Sequence, residues 1–265
     1  MPFTLTAYGL SDTGLVRKNN EDVWASLPEH HLFVLADGMG GHQAGEVAAR
    51  EATNYFLTHV KECFDDGKKL RLTNQEALEC IRFALIQTNH FVYELSKTHE
   101  LLRGMGTTML CLYFHEESVI YGHVGDSRIY RVRDNSLRQL TRDHSLLREL
   151  MELDQISERL VRECSYKNII TRAIGTEAFV EPTVECDTIQ PNDLYLLCSD
   201  GLTDLLTNDE IFEVLDSPLT VEEKVRLLIV SAKKKGGHDN ITCVCVEVKQ
   251  VQVNQVDEQK SLLRQ

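Results

Sequence analysis

Short apolar runs and longer stretches of helical period alternate along this chain. Residues 4–10, 32–36, 107–114, 118–124, 129–133, 194–199 and 241–248 are mostly rich in Val, Ile, Leu or Tyr and bounded by turn formers, the mark of β-strands. Over 43–60, Ala44, Val47, Ala48, Ala52, Tyr55 and Phe56 recur at helical spacing. Ala77, Leu78, Ile81, Leu85, Phe91 and Leu95 do the same in the next stretch. That spacing puts one apolar stripe on each of two helices, suited to covering a sheet. Further helices are expected at 146–153 and 221–234. Because strands dominate between two groups of helices, the pattern predicts an α+β fold: antiparallel sheets with helices packed outside, rather than a parallel βαβ sheet. One domain over 1–248 is expected, with a polar excursion at about 141–175 read as a surface flap and a polar tail at 249–265.

With 265 residues and 42% hydrophobic content the chain can bury a sizeable core. Its net charge of -13 argues against nucleic acid, whose phosphates need a basic stripe. The basic run Lys233-Lys234-Lys235 reads as a solvated helix end stopped by Gly236 and Gly237. Eight cysteines are spread through the chain, and the first ten residues lack the basic start and apolar stretch of a signal peptide. Reduced thiols in a cytoplasmic protein are therefore expected. Cys111, Cys198, Cys243 and Cys245 sit in apolar runs as small hydrophobes. No uncharged apolar run approaches the roughly 20 residues of a membrane span, so no membrane association is expected.

Candidate chemistry lies where strands end. Residues 32–36 run into Asp37-Gly38, 118–124 into Gly125-Asp126, and 194–199 into Asp200-Gly201, while Asp239 opens the last strand. If these strands share sheets, their ends converge on one rim and crowd several carboxylates together. Such a cluster repels itself, which implies raised pKa values or a bound cation. Any one Asp-Gly pair, taken alone, is more often an ordinary turn. Here Met39-Gly40-Gly41-His42 and Leu202-Thr203-Asp204 do not read as hairpin partner strands, and a Gly after Asp lets a backbone carbonyl approach an ion. Oxygen ligands without Cys select Mg²⁺ or Mn²⁺ over zinc. Arg17, five residues before Asp22, has the planar guanidinium that grips phosphate through two parallel hydrogen bonds; a mixed-charge surface loop is the plainer reading of its segment.

Seven segments stand in order between about residue 6 and residue 248. They are Ser11-Asp12 with Arg17 and Asn20-Glu21-Asp22; Asp37-Gly38 through His42 to Gly45-Glu46; Gly106-Thr107-Thr108; Val124-Gly125-Asp126-Ser127-Arg128; Asp143-His144-Ser145; Ser199-Asp200-Gly201-Leu202; and Asp239-Asn240-Ile241-Thr242. In order and spacing the set resembles the motifs of the type 2C metal-dependent protein phosphatases, the PPM family, in its compact bacterial form. The resemblance implies a sandwich of two antiparallel β-sheets flanked by α-helices on both sides. It implies two tightly bound Mn²⁺ or Mg²⁺ ions and a weaker third. Asp37 would bridge the pair, with the Gly38 carbonyl on one ion, Asp200 and Asp239 on the other, and Asp22 reaching them directly or through water. Asp126 with Asp200 would hold the third ion, and Arg17 would clamp the phosphate.

The function so implied is hydrolysis of phosphoserine and phosphothreonine in proteins by direct attack of metal-activated water, opposing a Ser/Thr kinase in signalling, by a monomer. One alternative is a pseudophosphatase that uses the same fold as a binding module. Another is a metal-dependent nuclease or small-molecule phosphohydrolase, which the acidic balance disfavours. Two departures stand out. Met39 occupies the place where animal members carry a His proposed to protonate the leaving group; His42 is a candidate general acid, and equally a helix cap or a partner of a metal-bound water. Cys164-Ser165 stands where bacterial relatives carry His-Pro in the flap, so altered substrate preference is expected. His144 and His238 are expected to be structural.

Overall fold

The computed structural model describes residues 3–40, 44–65, 72–152 and 169–250. Eleven strands form two antiparallel sheets. The first, in spatial order, contains β1 (Phe3–Asp12), β11 (Ile241–Gln250), β10 (Leu194–Cys198), β7 (Arg128–Arg133) and β8 (Ser136–Gln139). The second contains β2 (Asp22–Leu27), β3 (Leu32–Met39), β5 (Met109–His115), β6 (Ser118–Val124) and β9 (Thr183–Thr188), with the short β4 (Gly106–Thr107) on the end of β3. Helices α1 (Ala44–Asp65) and α2 (Asn74–Ser96) cover the second sheet; α5 (Asn208–Leu215) and α6 (Val221–Lys234) cover the first. Two shorter α-helices are α3 (Leu146–Glu152) and α4 (Asp200–Thr203), and single 3-10 turns lie at Pro28–His30 and Glu100–Leu102. The expected helix–sheet–sheet–helix layering is what the molecule has.

Three apolar layers follow from this order, and they explain why the strands read as continuous apolar runs. In β3, Leu32 and Val34 face α1 and α2 while Phe33 and Leu35 face the other sheet. In β10, Leu194, Leu196 and Cys198 face α5 and α6 while Tyr195 and Leu197 point between the sheets. Both faces of each central strand are dry, so the period of two is written in shape rather than in polarity. Complete burial of a side chain such as Leu35 or Phe114 contributes about 1.5–3 kcal/mol.

The strands that sequence patterning missed, β2, β8 and β9, are three of the four sheet edges. β8 and β9 are mostly polar and β2 is only partly buried along its length, as edge strands are. The anticipated strand 107–114 is two pieces. Thr108 leaves the ladder between them, its N–H bonding the Asp37 carbonyl at 2.8 Å. Helix α5 was also missed, although its capping box was legible: Thr207 accepts from the Glu210 N–H, and Glu210 reaches back to Thr207. Helix α6 ends as expected, with Gly236 and Gly237 in positive-φ conformations beyond it. Against the expectation of reduced thiols throughout, Cys63 of α1 and Cys80 of α2 are joined as a disulfide. Cys111, Cys198, Cys243 and Cys245 are free and buried. No helix among the described residues is long and apolar enough to cross a membrane.

Candidate functional site

The acid-bearing strand ends do meet on one rim. Asp22 and Asp37 are cross-strand partners where β2 begins and β3 nears its end. In the other sheet, β10 gives way to Ser199 and Asp200 directly beside the start of β11, with Cys198 opposite Cys243 and Ser199 N–H bonding the Thr242 carbonyl at 3.1 Å. Asp126 follows the end of β6. Neither Asp-Gly pair makes a hairpin: Asp37-Gly38 lies within β3, and Asp200-Gly201 opens α4. At Gly38 a Cβ would meet the Gly45 carbonyl oxygen at 2.1 Å, so only glycine lets α1 come this close to β3.

The carboxylates are held mainly by uncharged groups. Oδ2 of Asp22 accepts from Ser199 Oγ at 2.8 Å and Thr242 Oγ1 at 2.7 Å. Oδ1 of Asp22 and Oδ1 of Asp126 are buried without any hydrogen-bond partner. Burial raises the Asp22 pKa, and burial together with Asp22, Asp200, Asp126 and Asp239 raises that of Asp37 well above the usual range. Burial first, then Asp126, Asp204, Asp239 and Asp22, pushes Asp200 up to about 8. Asp126 rises to about 6, mainly through burial and then Asp143. Arg17 Nη2 donates to Asp239 Oδ2 at 2.6 Å from a side chain that is 54% exposed. No three of these or other Asp, Glu, His or Cys side chains among the described residues close on one point at ligand spacing. The rim is a loose acid cluster with one arginine, Arg17, bound to its Asp239.

An all-oxygen donor set, two buried carboxylate oxygens without donors, and mutual repulsion fit a hard divalent cation. Carboxylates crowded this way are stabilised by protons or by metal, and water alone does not reach the buried oxygens.

Residues that carried no assigned role in the sequence reading turn out to build the frame. Thr107 Oγ1 donates to the Asp37 carbonyl at 2.9 Å, and Asp37 N–H donates to Thr108 Oγ1 at 3.1 Å. Thr108 in turn bonds Ser127 Oγ at 2.8 Å, linking the Asp37 and Asp126 segments. Asn240 accepts from Glu21 N–H at 2.8 Å and donates to the carbonyls of Thr13 and Asn19, fastening the Arg17 loop. Arg128 forks onto Asp143 with contacts of 2.7–3.1 Å. The signal for all of them was their place inside the motifs, but hydroxyl and amide roles depend on which strand lies opposite. His144 is structural as expected: its Nδ1 accepts from Gly125 N–H and its ring stacks on His123 at 4.5 Å. His42 and Cys164-Ser165 lie outside the described residues.

A family model described as Protein phosphatase 2C matches residues 16–235. The serine/threonine phosphatase stp of Listeria monocytogenes is 37% identical over 240 residues, 89% of this chain and 93% of that one. The S. agalactiae serine/threonine phosphatase structure aligns with a TM-score of 0.83 at 34% identity, covering 92% of this chain and 99% of that one. The catalytic domain of the serine threonine protein phosphatase PstP, solved in complex with 2 manganese ions, aligns with a TM-score of 0.79 at 34% identity, covering 93% and 99%.

Proposed function

As a member of the protein phosphatase 2C family, to which it belongs, the chain is a protein-serine/threonine phosphatase, and we propose that it works with divalent cations held at the acid rim. The observation that carries this reading is the pair of buried, donorless carboxylate oxygens on Asp22 and Asp126, within a cluster whose pKa values are raised by burial and then by mutual repulsion. Asp22, Asp37, the Gly38 carbonyl, Asp200 and Asp239 would hold two Mn²⁺ or Mg²⁺ ions, and Asp126 with Asp200 a weaker third. Manganese in the similar PstP structure supports the choice of ion.

Bound there, the cations supply Lewis-acid activation of water and offset charge on the phosphoryl oxygens. The chain's own residues do the positioning. Ser199 and Thr242 fix one oxygen of Asp22 and leave the other free. Thr107 and Thr108 clamp the backbone of Asp37, so its carboxylate is aimed before any ligand arrives. Arg17, exposed and anchored at Asp239, can turn its remaining N–H groups to a phosphoryl group entering from solvent. His42 is the candidate proton donor for the leaving oxygen. Substrates would be cytoplasmic phosphoproteins modified by a Ser/Thr kinase. The complete acid set favours turnover over a binding-only role.

The test is hydrolysis of p-nitrophenyl phosphate by metal-stripped protein. Turnover should appear on adding Mn²⁺ or Mg²⁺ and vanish with chelator; full turnover in excess EDTA would sink the metal assignment, and none with any divalent ion would sink the catalytic one.

A further inference from the structure

Beside the acid rim, a groove of about 500 Å³ runs between α6 and the loop that leads from β1 to Arg17. Its floor is Leu10 and Ile229, and Leu15 and Val230 stand at its walls with 62% and 46% of their surface exposed. Val16, 63% exposed, continues the apolar surface toward Arg17. Single exposed aliphatic residues are ordinary, but here they adjoin one another and a cleft.

The loop is not loosely attached. Leu15 N–H bonds the Gly237 carbonyl at 2.8 Å, and Lys233 Nζ holds both oxygens of Asp12 at 2.9 Å. Gly14 has φ +79°, and a Cβ there would meet the Asp239 carbonyl oxygen at 2.2 Å, so the loop is pressed onto the turn carrying Asp239. Leu15 and Val16 are therefore held out toward solvent by a fixed frame.

Charge around the groove is lopsided. The acid that lines it, Asp12, is bound to Lys233, and Arg226 of the lining is paired with Glu222. Lys234, which also lines the groove, has no carboxylate partner among the described residues. Lysines at the C-terminal end of α6 offset the helix dipole, a service Lys233 and Lys235 already perform while paired. In a chain of net charge -13, this is a local positive border around an apolar cleft.

We propose that this groove seats an apolar side chain of the phosphoprotein substrate, flanked by acidic residues that meet Lys234. The proposal rests on the phosphatase reading of the neighbouring rim and names a feature of its substrates. Leu15 and Arg17 are two residues apart, at most about 7 Å along the chain. With the phosphoryl group at Arg17, an extended peptide advancing about 3.3 Å per residue reaches the groove a few residues from the phosphorylated Ser or Thr.

The experiment compares two phosphothreonine peptides with identical residues around the phosphate. One carries a Leu between acidic residues placed three to six positions away; the other has Gly and Ser there. Affinity is measured by fluorescence anisotropy in excess EDTA, where the peptides are not turned over, and turnover separately on p-nitrophenyl phosphate with Mn²⁺. The acidic–apolar peptide should bind roughly tenfold tighter or better, the scale of burying one apolar side chain. Val230→Asp should erase that preference and leave p-nitrophenyl phosphate turnover unchanged. Lys234→Glu, which alters only an exposed side chain, should reduce it by roughly two- to fivefold, and less at high salt. Equal binding of the two peptides by the wild type, or a preference that survives in both variants, would overturn the proposal. Absence of turnover on the small substrate would count against the catalytic reading alone, because the peptide preference is read by binding.

Discussion

At the start of β10, Asp193 is fully buried and receives Arg133 Nε and Nη2 at 2.7 Å each, Gln190 N–H at 2.8 Å and Tyr195 OH at 3.0 Å. Just past the other end of the same strand, Asp200 has carboxylates for neighbours, and burial with their repulsion lifts its pKa to about 8. Six residues separate two answers to one problem, the cost of taking a carboxylate out of water. At Asp193 the chain supplies the counter-charge and satisfies both oxygens. At the rim it withholds one, apart from the exposed Arg17, and leaves the Asp22 and Asp126 oxygens without donors. An acid balanced within the fold serves stability; an acid left unbalanced stores an affinity for something that arrives from outside.

Substitution should separate the two ends most sharply. Asp37→Asn removes a rim charge at nearly constant shape, so turnover should fall by on the order of 10²–10³-fold or more. Its metal-free protein should nevertheless melt no lower than wild type, because repulsion is relieved. Saturating Mn²⁺ should stabilise the wild type, by about 2.7 kcal/mol at a hundred times its Kd, and the variant by less. Wild-type turnover in Asp37→Asn would break the comparison. At the opposite end, Asp193→Ala leaves Arg133 largely buried and unpaired, and should cost about 3–5 kcal/mol of stability in urea unfolding. Activity per folded molecule should stay near wild type; a variant as stable as the parent would show that the Arg133 fork is not what holds this acid.

A third way of burying an ionisable group sharpens the contrast at smaller scale. His144 is kept neutral: burial first, then His123 and Arg172, lowers its pKa to about 3. Its unfolded value is about 6.5, so below that pH the unfolded chain takes up a proton that the folded chain refuses. The stabilisation is complete above about pH 6.5 and shrinks as pH falls toward 3, by up to about 1.4 kcal/mol per unit. His144→Gln should flatten that acid limb in melting experiments read from pH 6.5 to 4.5. An unchanged slope would mean that another group controls it.

Much of this was legible in the residues. Central strands announce themselves because apolar side chains are needed on both faces, and α1 and α2 through helical spacing. Edge strands β2, β8 and β9 did not, because an edge needs little burial and is defined by its neighbour. The acids of the rim could be listed from the motifs, since an Asp at a strand end is a local fact. Their convergence could not: it requires β2 and β3 of one sheet and β10 and β11 of the other to end on the same side.

What the sequence determined alone, therefore, is the inventory: which central segments are strands, which long segments are helices, and which acids stand at the strand ends. Tertiary structure alone decided that Ser199 and Thr242 hold Asp22, that Thr108 and Ser127 tie the Asp37 and Asp126 segments together, and that Leu15 and Val230 line one groove. Composition and period follow from each residue's own burial and backbone preference. Partners 20 to 220 positions apart are chosen by sheet register, which no local preference encodes.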